Sequence, residues 1–398
     1  MEDDGDGREP KGGGVLKETA GLYVHVPFCG SLCSYCDFFR VANDGAAPGW
    51  FVTYIIKEGK LYREPEPITL ASVYFGGGTP SLIAPPDFAR LSEGLREIFA
   101  WPCGIEATLE ANPETVTREA LAAWRSAGIT RLSIGAQSLQ GEELSLLGRR
   151  AAPSDVRRAV LLASEAGFDR LSLDLMLAIP GQSPGSLART LDEVAAMPLD
   201  HVSAYMLDLH EGTPLYARVV AGGASLPDED EVADLYEQLC GRLEASGFLH
   251  YEVSNFAKPN GECRHNLRYW RGGDYIGLGP SAHGCFRGER TNNPRSIGEW
   301  RAALDRDEPP YEITAKVTER ERFENSVIFG LRLAEGIKEE TLASFLEAQG
   351  RGPEQIIGQL LRHGYAARRG DGRIRLTRLG FLSSNSVIEY LLPKDYRA

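Results

Sequence analysis

Short apolar runs recur along the first half of the chain, separated by longer stretches with apolar residues at three- and four-residue spacing. The runs at 22–26, 72–75, 104–109, 131–134, 170–175 and 201–206 predict strands. The stretches at 86–99, 118–127, 154–166 and 184–196 predict helices, and Gly128 and Gly167 stand where two of these should stop. Strand and helix alternating at roughly 25–50-residue intervals predicts repeated βα units around a parallel sheet. Six units fall short of the eight in a closed barrel, so the expected fold is α/β, an open, partial (β/α)6 barrel. Ligand sites in this architecture lie at the C-terminal ends of the strands.

The pattern changes beyond a long predicted helix at 228–246. Residues 251–293 are rich in Gly, Asn and aromatics without a regular period, which predicts an irregular stretch. Helical spacing returns at 296–304, 318–333, 338–347 and 353–363, followed by a strand at 373–376 and a last helix at 379–391. The expectation is a mostly helical, winged-helix-like C-terminal domain. The chain then divides into a disordered tail at 1–20, a barrel core with its extension at 21–290 and the helical domain at 291–398.

Composition narrows the function classes. The 398 residues are 42% hydrophobic and 25% charged, ordinary values for a chain with a sizeable core. Lys plus Arg number 43 against 56 Asp plus Glu, a net charge of −13 that repels phosphate backbones. A nucleic-acid partner is therefore not expected, and membrane association is at most peripheral. No apolar run approaches the roughly 18 residues of a membrane span. Residues 1–14 are acidic and Gly-rich, unlike a secretory signal or a transit peptide, so the expected location is cytoplasmic.

The seven cysteines include three in one short loop, Cys29-Gly-Ser-Leu-Cys33-Ser-Tyr-Cys36, directly after the first predicted strand. An odd count in a large chain with no export signal argues against a disulfide framework. A structural zinc site is one reading of the trio, but it wants a fourth ligand, from His25 or from far along the chain. The other is an iron–sulfur cubane held by three thiolates, with the fourth iron open to an exogenous ligand. The four remaining cysteines read as small buried hydrophobes.

The second predicted strand runs into Gly76-Gly77-Gly78-Thr79-Pro80, which implies either a tight turn or close approach of a ligand to the backbone. Glu110, Gln137 and Asp174 stand at or just past the ends of later strands, where they can converge above the sheet.

Together these motifs resemble the radical S-adenosylmethionine superfamily. Tyr23-Val24-His25-Val26-Pro27-Phe28-Cys29, Leu147-Gly148-Arg149 and residues 174–180 narrow the resemblance to the oxygen-independent coproporphyrinogen III oxidase family. It runs from about residue 22 to 284 and continues weakly beyond. The resemblance implies a 4Fe-4S cluster on Cys29, Cys33 and Cys36, with S-adenosylmethionine chelating the open iron. It implies that Gly77, Gly78 and Thr79 line the methionine moiety, that Glu110 contacts the nucleoside, and that Tyr23 and Tyr35 lie beside cluster and cofactor. Gln137, Arg149 and Asp174 match positions that contact a second cofactor molecule in the oxidase.

Two departures count against porphyrinogen decarboxylation: Phe38 takes the place of a further cysteine in the oxidases, and their longer N-terminal extension is missing. The segment Cys36-Asp37-Phe38, residues 251–257 and His265-Asn266-Leu267-Arg268-Tyr269-Trp270 are similar to the HemW subfamily. That resemblance implies a heme chaperone that passes heme to an acceptor protein, with an electron donor such as a flavodoxin or ferredoxin. By its own chemistry, His265 beside Tyr269 and Trp270 fits a heme site, since imidazole binds heme iron and aromatic rings lie flat on porphyrin. The alternative is that His265 and Asn266 order the loop by hydrogen bonds while Trp270 fills core. His283, in Gly279-Pro280-Ser281-Ala282-His283-Gly284, belongs to a second polar loop that can face the same site.

Overall fold

The computed structural model describes residues 19–168 and 170–393, so almost all of the expected tail lies outside the described residues. All six expected strands form: β1 (Thr19–Val26), β2 (Thr69–Gly77), β3 (Glu106–Ala111), β4 (Arg131–Gln137), β5 (Arg170–Leu177) and β6 (His201–Met206). Each pairs in parallel with the next. The longer helices between them are α1 (Gly49–Gly59), α2 (Pro85–Arg96), α3 (Arg118–Ser126), α4 (Pro153–Glu165) and α5 (Pro184–Ala196), with a short one at Gly141–Leu146. Helix α1 has no counterpart in the sequence reading. Its Trp-Phe-Val-Thr-Tyr-Ile-Ile run is rich in β-branched and aromatic residues, and burial of Phe51, Val52 and Ile55 makes it helical against that preference.

Along β1, Leu22, Val24 and Val26 are buried in the apolar core while Tyr23 and His25 take the opposite face. The same alternation sets Ser72 and Tyr74 against Val73 and Phe75, Glu106 and Glu110 against Ala107 and Leu109, and Ser172 and Asp174 against Leu171 and Leu173. The barrel is therefore apolar where it meets its helices and polar inside. Two-sided apolar strands, the usual outcome for a covered parallel sheet, are replaced by strict period-two patterning. Arg131 is 2% exposed inside this wall and faces the charges of Glu106, Glu110 and Asp174.

The stretch at 251–293 is not irregular, which corrects the expectation. After helix α6 (Glu229–Ala245) the chain forms β7 (Leu249–Glu252), β8 (Asn255–Ala257), helix α7 (Arg264–Trp270), β9 (Tyr275–Leu278), β10 (His283–Phe286) and β11 (Glu289–Asn292). With β12 (Glu312–Lys316) they complete one twelve-stranded sheet in the order β12-β11-β10-β9-β1-β2-β3-β4-β5-β6-β8-β7. These strands are only three to five residues long, with Gly and Asn interleaved, so no period shows in the sequence. The sheet remains open.

Beyond the sheet, helix α8 (Glu319–Leu331) leads to helices at Glu339–Glu347 and Pro353–Arg362 and a three-stranded antiparallel sheet of Ile337–Lys338, Ala366–Arg368 and Arg373–Leu376. This is the expected helical, winged-helix-like part. The last helix is two, Arg378–Leu382 and Ser384–Leu391, broken at Ser383. The linker at 332–334 covers the β7 edge: Val253 N donates to Arg332 O at 2.9 Å and Ala334 N to Tyr251 O at 3.0 Å.

Candidate functional site

The cysteine loop leaves the C-terminal end of β1, the end of the sheet where such a site belongs. Its conformation is held from three sides. Ser34 N donates to Leu147 O at 3.0 Å, and Leu215 N donates to Ser34 O at 2.8 Å. Gly148, at φ +69°, passes so close that a Cβ there would stand 3.3 Å from Ser34 N. From inside the loop, Arg40 donates to Cys33 O at 3.0 Å and also to Cys36 O.

The sulfurs are addressed by donors. Thr79 Oγ1 lies 3.7 Å from Cys29 Sγ, and Arg149 Nη1 lies 3.6 Å from Cys33 Sγ. Burial pushes the Cys29 and Cys36 thiols up, and the neighbouring cysteines add to the rise. Among the described residues no three Cys, His, Asp or Glu side chains form a ready set around one ion. Three thiols held beside one another, with hydrogen-bond donors on two of them, fit a group that takes one thiolate per iron.

Around the trio, Asn112 links the expected residues. Its Nδ2 donates to Thr79 Oγ1 at 3.3 Å, and its Oδ1 accepts from Arg149 Nη2 at 3.0 Å. Gln137 adopts φ +67° at a register shift between Gly135 and Gln137 that turns the end of β4. Its amide and Arg149 both crowd Gly135. Asp174 sits one layer deeper, accepting from Ser133 Oγ at 2.9 Å; burial raises its carboxyl above the usual range. Tyr35 lies against Cys33 and Arg149, and burial raises its phenol.

Glu110 accepts from Tyr74 OH at 2.8 Å and from Gly77 N at 3.1 Å. Burial raises its carboxyl to about 7. Tyr23 OH and His25 Nδ1 are 3.0 Å apart, and His25 Nε2 lies 3.1 Å from Phe39 O. Burial drops His25 to about 4, so this imidazole is neutral. Gly77, at φ +112°, would place a Cβ 2.7 Å from the His25 ring, and Gly78 one 2.8 Å from Phe28 O. The tight-turn reading of the glycines is therefore met by the protein's own packing: strand ends β1 and β2 touch here. Arg40, Tyr74 and Asn112 escaped the sequence reading, and His25, weighed there as a fourth zinc ligand, instead spends its ring on Tyr23 and Phe39. The signal for Asn112 was available, since it precedes Pro113 immediately beyond β3.

His265 is elsewhere. It opens helix α7, is 1% exposed, and its ring is committed on both sides: Nδ1 to Ser72 Oγ at 2.8 Å and Nε2 to Tyr269 OH at 2.7 Å. Its backbone N donates to Glu106 at 2.9 Å, and Tyr74 stacks on its ring at 5.2 Å. Burial lowers it to about 3. The ordering alternative describes this residue; binding heme iron would break one of its two ring hydrogen bonds. Cys263 is fully buried beside Glu106.

Two large cavities flank the sheet. One of about 1540 Å³ lies by Ser72, Arg268 and Arg378, toward the strand N-termini and away from the thiols. The other, about 1450 Å³, reaches from Tyr23, His25 and Phe38 to β10 and α8. The second adjoins the cysteine site.

Residues 23–194 match the model of the Radical SAM superfamily. The chain is 36% identical to Heme chaperone HemW of Mycobacterium tuberculosis (strain CDC 1551 / Oshkosh), covering 94% of each chain. It is 30% identical to Heme chaperone HemW of Bacillus subtilis (strain 168), covering 92% of this chain and 97% of that one. The solved structure of coproporphyrinogen III oxidase (HemN) from Escherichia coli superposes with a TM-score of 0.81 over 94% of this chain and 90% of the other, at 21% identity. That last likeness is one of fold. With a parallel sheet carrying three cysteines at its first strand end, and these relatives spanning nearly its whole length, the chain belongs to the HemW family of radical SAM proteins.

Proposed function

We propose that the protein is a heme chaperone: it binds a 4Fe-4S cluster, S-adenosylmethionine and heme, and passes heme to an acceptor protein. The observation that carries the cluster is the trio Cys29, Cys33 and Cys36 at the mouth of the barrel, with Thr79 and Arg149 directed at two of its sulfurs. Heme comes from the kinship with proteins named Heme chaperone HemW. When bound, the cluster and its nucleotide supply one-electron chemistry, and the chain supplies position and exclusion of water.

In this proposal Gly77, Gly78 and Thr79 border the methionine end of the nucleotide, and Glu110 lies near its nucleoside while bracing the glycine turn. Tyr23 stays protonated, because burial and then the charge of Glu110 both raise its phenol. Tyr35 lies beside the cluster and this nucleotide, and Gln137, Arg149 and Asp174 line the next stretch, where a second nucleotide would lie. A flavodoxin or ferredoxin supplies the electron, the cytoplasm is the working compartment, and membrane contact is at most peripheral; among the described residues no helix is long and apolar enough to cross a membrane. The proposed domains are a core at 21–290 and a helical domain from 291, with β12 reaching back into the sheet of the core.

The oxidase reading shares the fold, but Phe38 occupies the place of its further cysteine and is 67% exposed beside the cavity. The test is anaerobic reconstitution followed by hemin loading and incubation with an apo-heme protein, run beside an assay for coproporphyrinogen turnover. A brown protein with roughly four iron per chain that gives up its hemin supports the proposal. A colourless zinc protein, or sustained coproporphyrinogen turnover, overturns it.

A further inference from the structure

The heme reading leaves open where the porphyrin lies, since the ring of His265 is buried and committed. We infer that heme binds in the cavity beside the cysteine site, on the exposed face of the β10–β11 hairpin, with His283 as the iron ligand and Arg290 and Arg322 as partners for the two propionates.

Residues two apart on a strand point to the same face, and directly opposed residues share it. On this hairpin Cys285 is opposite Arg290, so His283, Cys285 and Arg290 stand on one side. The hairpin turns through Arg287 and Gly288 with φ +52° and +76°, a two-residue turn of the I′ kind that fixes this register. The face borders the cavity of about 1450 Å³, larger than the roughly 300–1,000 Å³ of a common small-ligand pocket. The opposite wall comes from helix α8, including Arg322 and Phe329, while Trp270 sits at 6.0 Å from Phe329. A broad flat apolar ligand with an anionic rim suits such a space.

His283 differs from the other histidine in this cavity. Both ring nitrogens of His25 are engaged, whereas His283 is exposed and has no hydrogen bond on its ring among the described residues. Partial burial and then Arg295 lower its pKa, so the ring is neutral at pH 7 and offers a lone pair without losing a proton. It lies close enough to His25 to affect that ring's titration, which places it next to the cysteine mouth. The charges of Arg290 and Arg322 both reach Cys285, two residues farther along β10. Neither guanidinium forms an ion pair among the described residues, although this chain has an excess of carboxylates. About 6.7 Å of strand separates His283 from Cys285, so the cations that act on Cys285 are set farther along this face than the imidazole.

This inference rests on the heme-binding reading, and one titration separates the two. Hemin, and hemin with both propionates esterified, are titrated into the anaerobically reconstituted full chain, with the Soret band and low-temperature electron paramagnetic resonance as readouts. His283→Ala should weaken hemin binding at least tenfold and abolish the imidazole-type spectrum. Arg290→Gln/Arg322→Gln should weaken hemin at least fivefold and leave the diester unchanged. Equal affinity and an unchanged spectrum in His283→Ala overturn the inference but leave the heme-binding reading standing. A spectrum that persists in His283→Ala and is lost in Cys285→Ser moves the ligand to sulfur and likewise overturns it. No hemin binding by the unaltered protein removes the heme-binding reading itself.

Discussion

At the scale of single residues, the site is governed by what burial does to ionisable groups. Glu110 is ordinarily ionised well below pH 5 in an open chain, yet in the fold it holds its proton to about 7. The folded state therefore binds more protons than the unfolded state between those limits, and this group's contribution to stability falls as pH rises through that window. Replacing it with Gln removes the dependence. Whatever offset Glu110→Gln carries, its Tm relative to the parent should climb between pH 5 and pH 8, which a thermal melt series measures; a flat difference contradicts the assignment. His265 behaves in the opposite sense, neutral and locked between Ser72 and Tyr269. His265→Ala leaves both hydroxyls without their partner and should cost roughly 2–4 kcal/mol in chemical denaturation, while hemin absorbance is unchanged. Gly77→Ala puts a Cβ against the His25 ring at φ +112°; the backbone strain costs about 1–3 kcal/mol and should also abolish nucleotide binding by the reconstituted protein in equilibrium dialysis.

At the scale of elements, what could be read from the sequence depended on how local the signal is. The cysteine loop, the glycine run and the six barrel strands are contiguous in sequence, and each appeared where its pattern placed it. The role of Leu147-Gly148-Arg149 was less visible: the backbone of the first two holds the cysteine loop, and Arg149 reaches a thiol 116 residues away. Of the two ring partners of His265, Tyr269 stands four residues on in the same motif, whereas Ser72 could not be read, because it is 193 residues distant and helix α7 sits in a stretch without periodicity. One clue was present but easily missed. Polar residues alternate with apolar ones inside strands that are covered on their outer face, as in Leu132-Ser133-Ile134, and that marks a wall lined for ligand rather than for packing. Arg131 is the counter-charge of that wall. Arg131→Met strands buried carboxylates without compensation and should cost about 3–5 kcal/mol, read from urea midpoints.

For the whole molecule, ligand and fold are linked by mass action. The cysteine loop lies at the mouth, outside the apolar core, so Cys33→Ser should lose the cluster and keep the parent's circular-dichroism spectrum. A nucleotide present at a hundred times its Kd stabilises by about 2.7 kcal/mol, a rise of roughly 3–6 °C in Tm. That rise should appear in reconstituted parent protein and vanish in Cys33→Ser; equal shifts in both would mean that the nucleotide does not need the cluster.

The backbone bonds that residues 332–334 make to β7 close off a row of amide and carbonyl groups that would otherwise face outward. A bare row of that kind recruits any extended segment that meets it. Chains that end before residue 332, whether by nonsense mutation or by proteolytic nicking, should therefore accumulate as insoluble aggregates in cells instead of persisting as a trimmed, working barrel, and a fractionated lysate would show it.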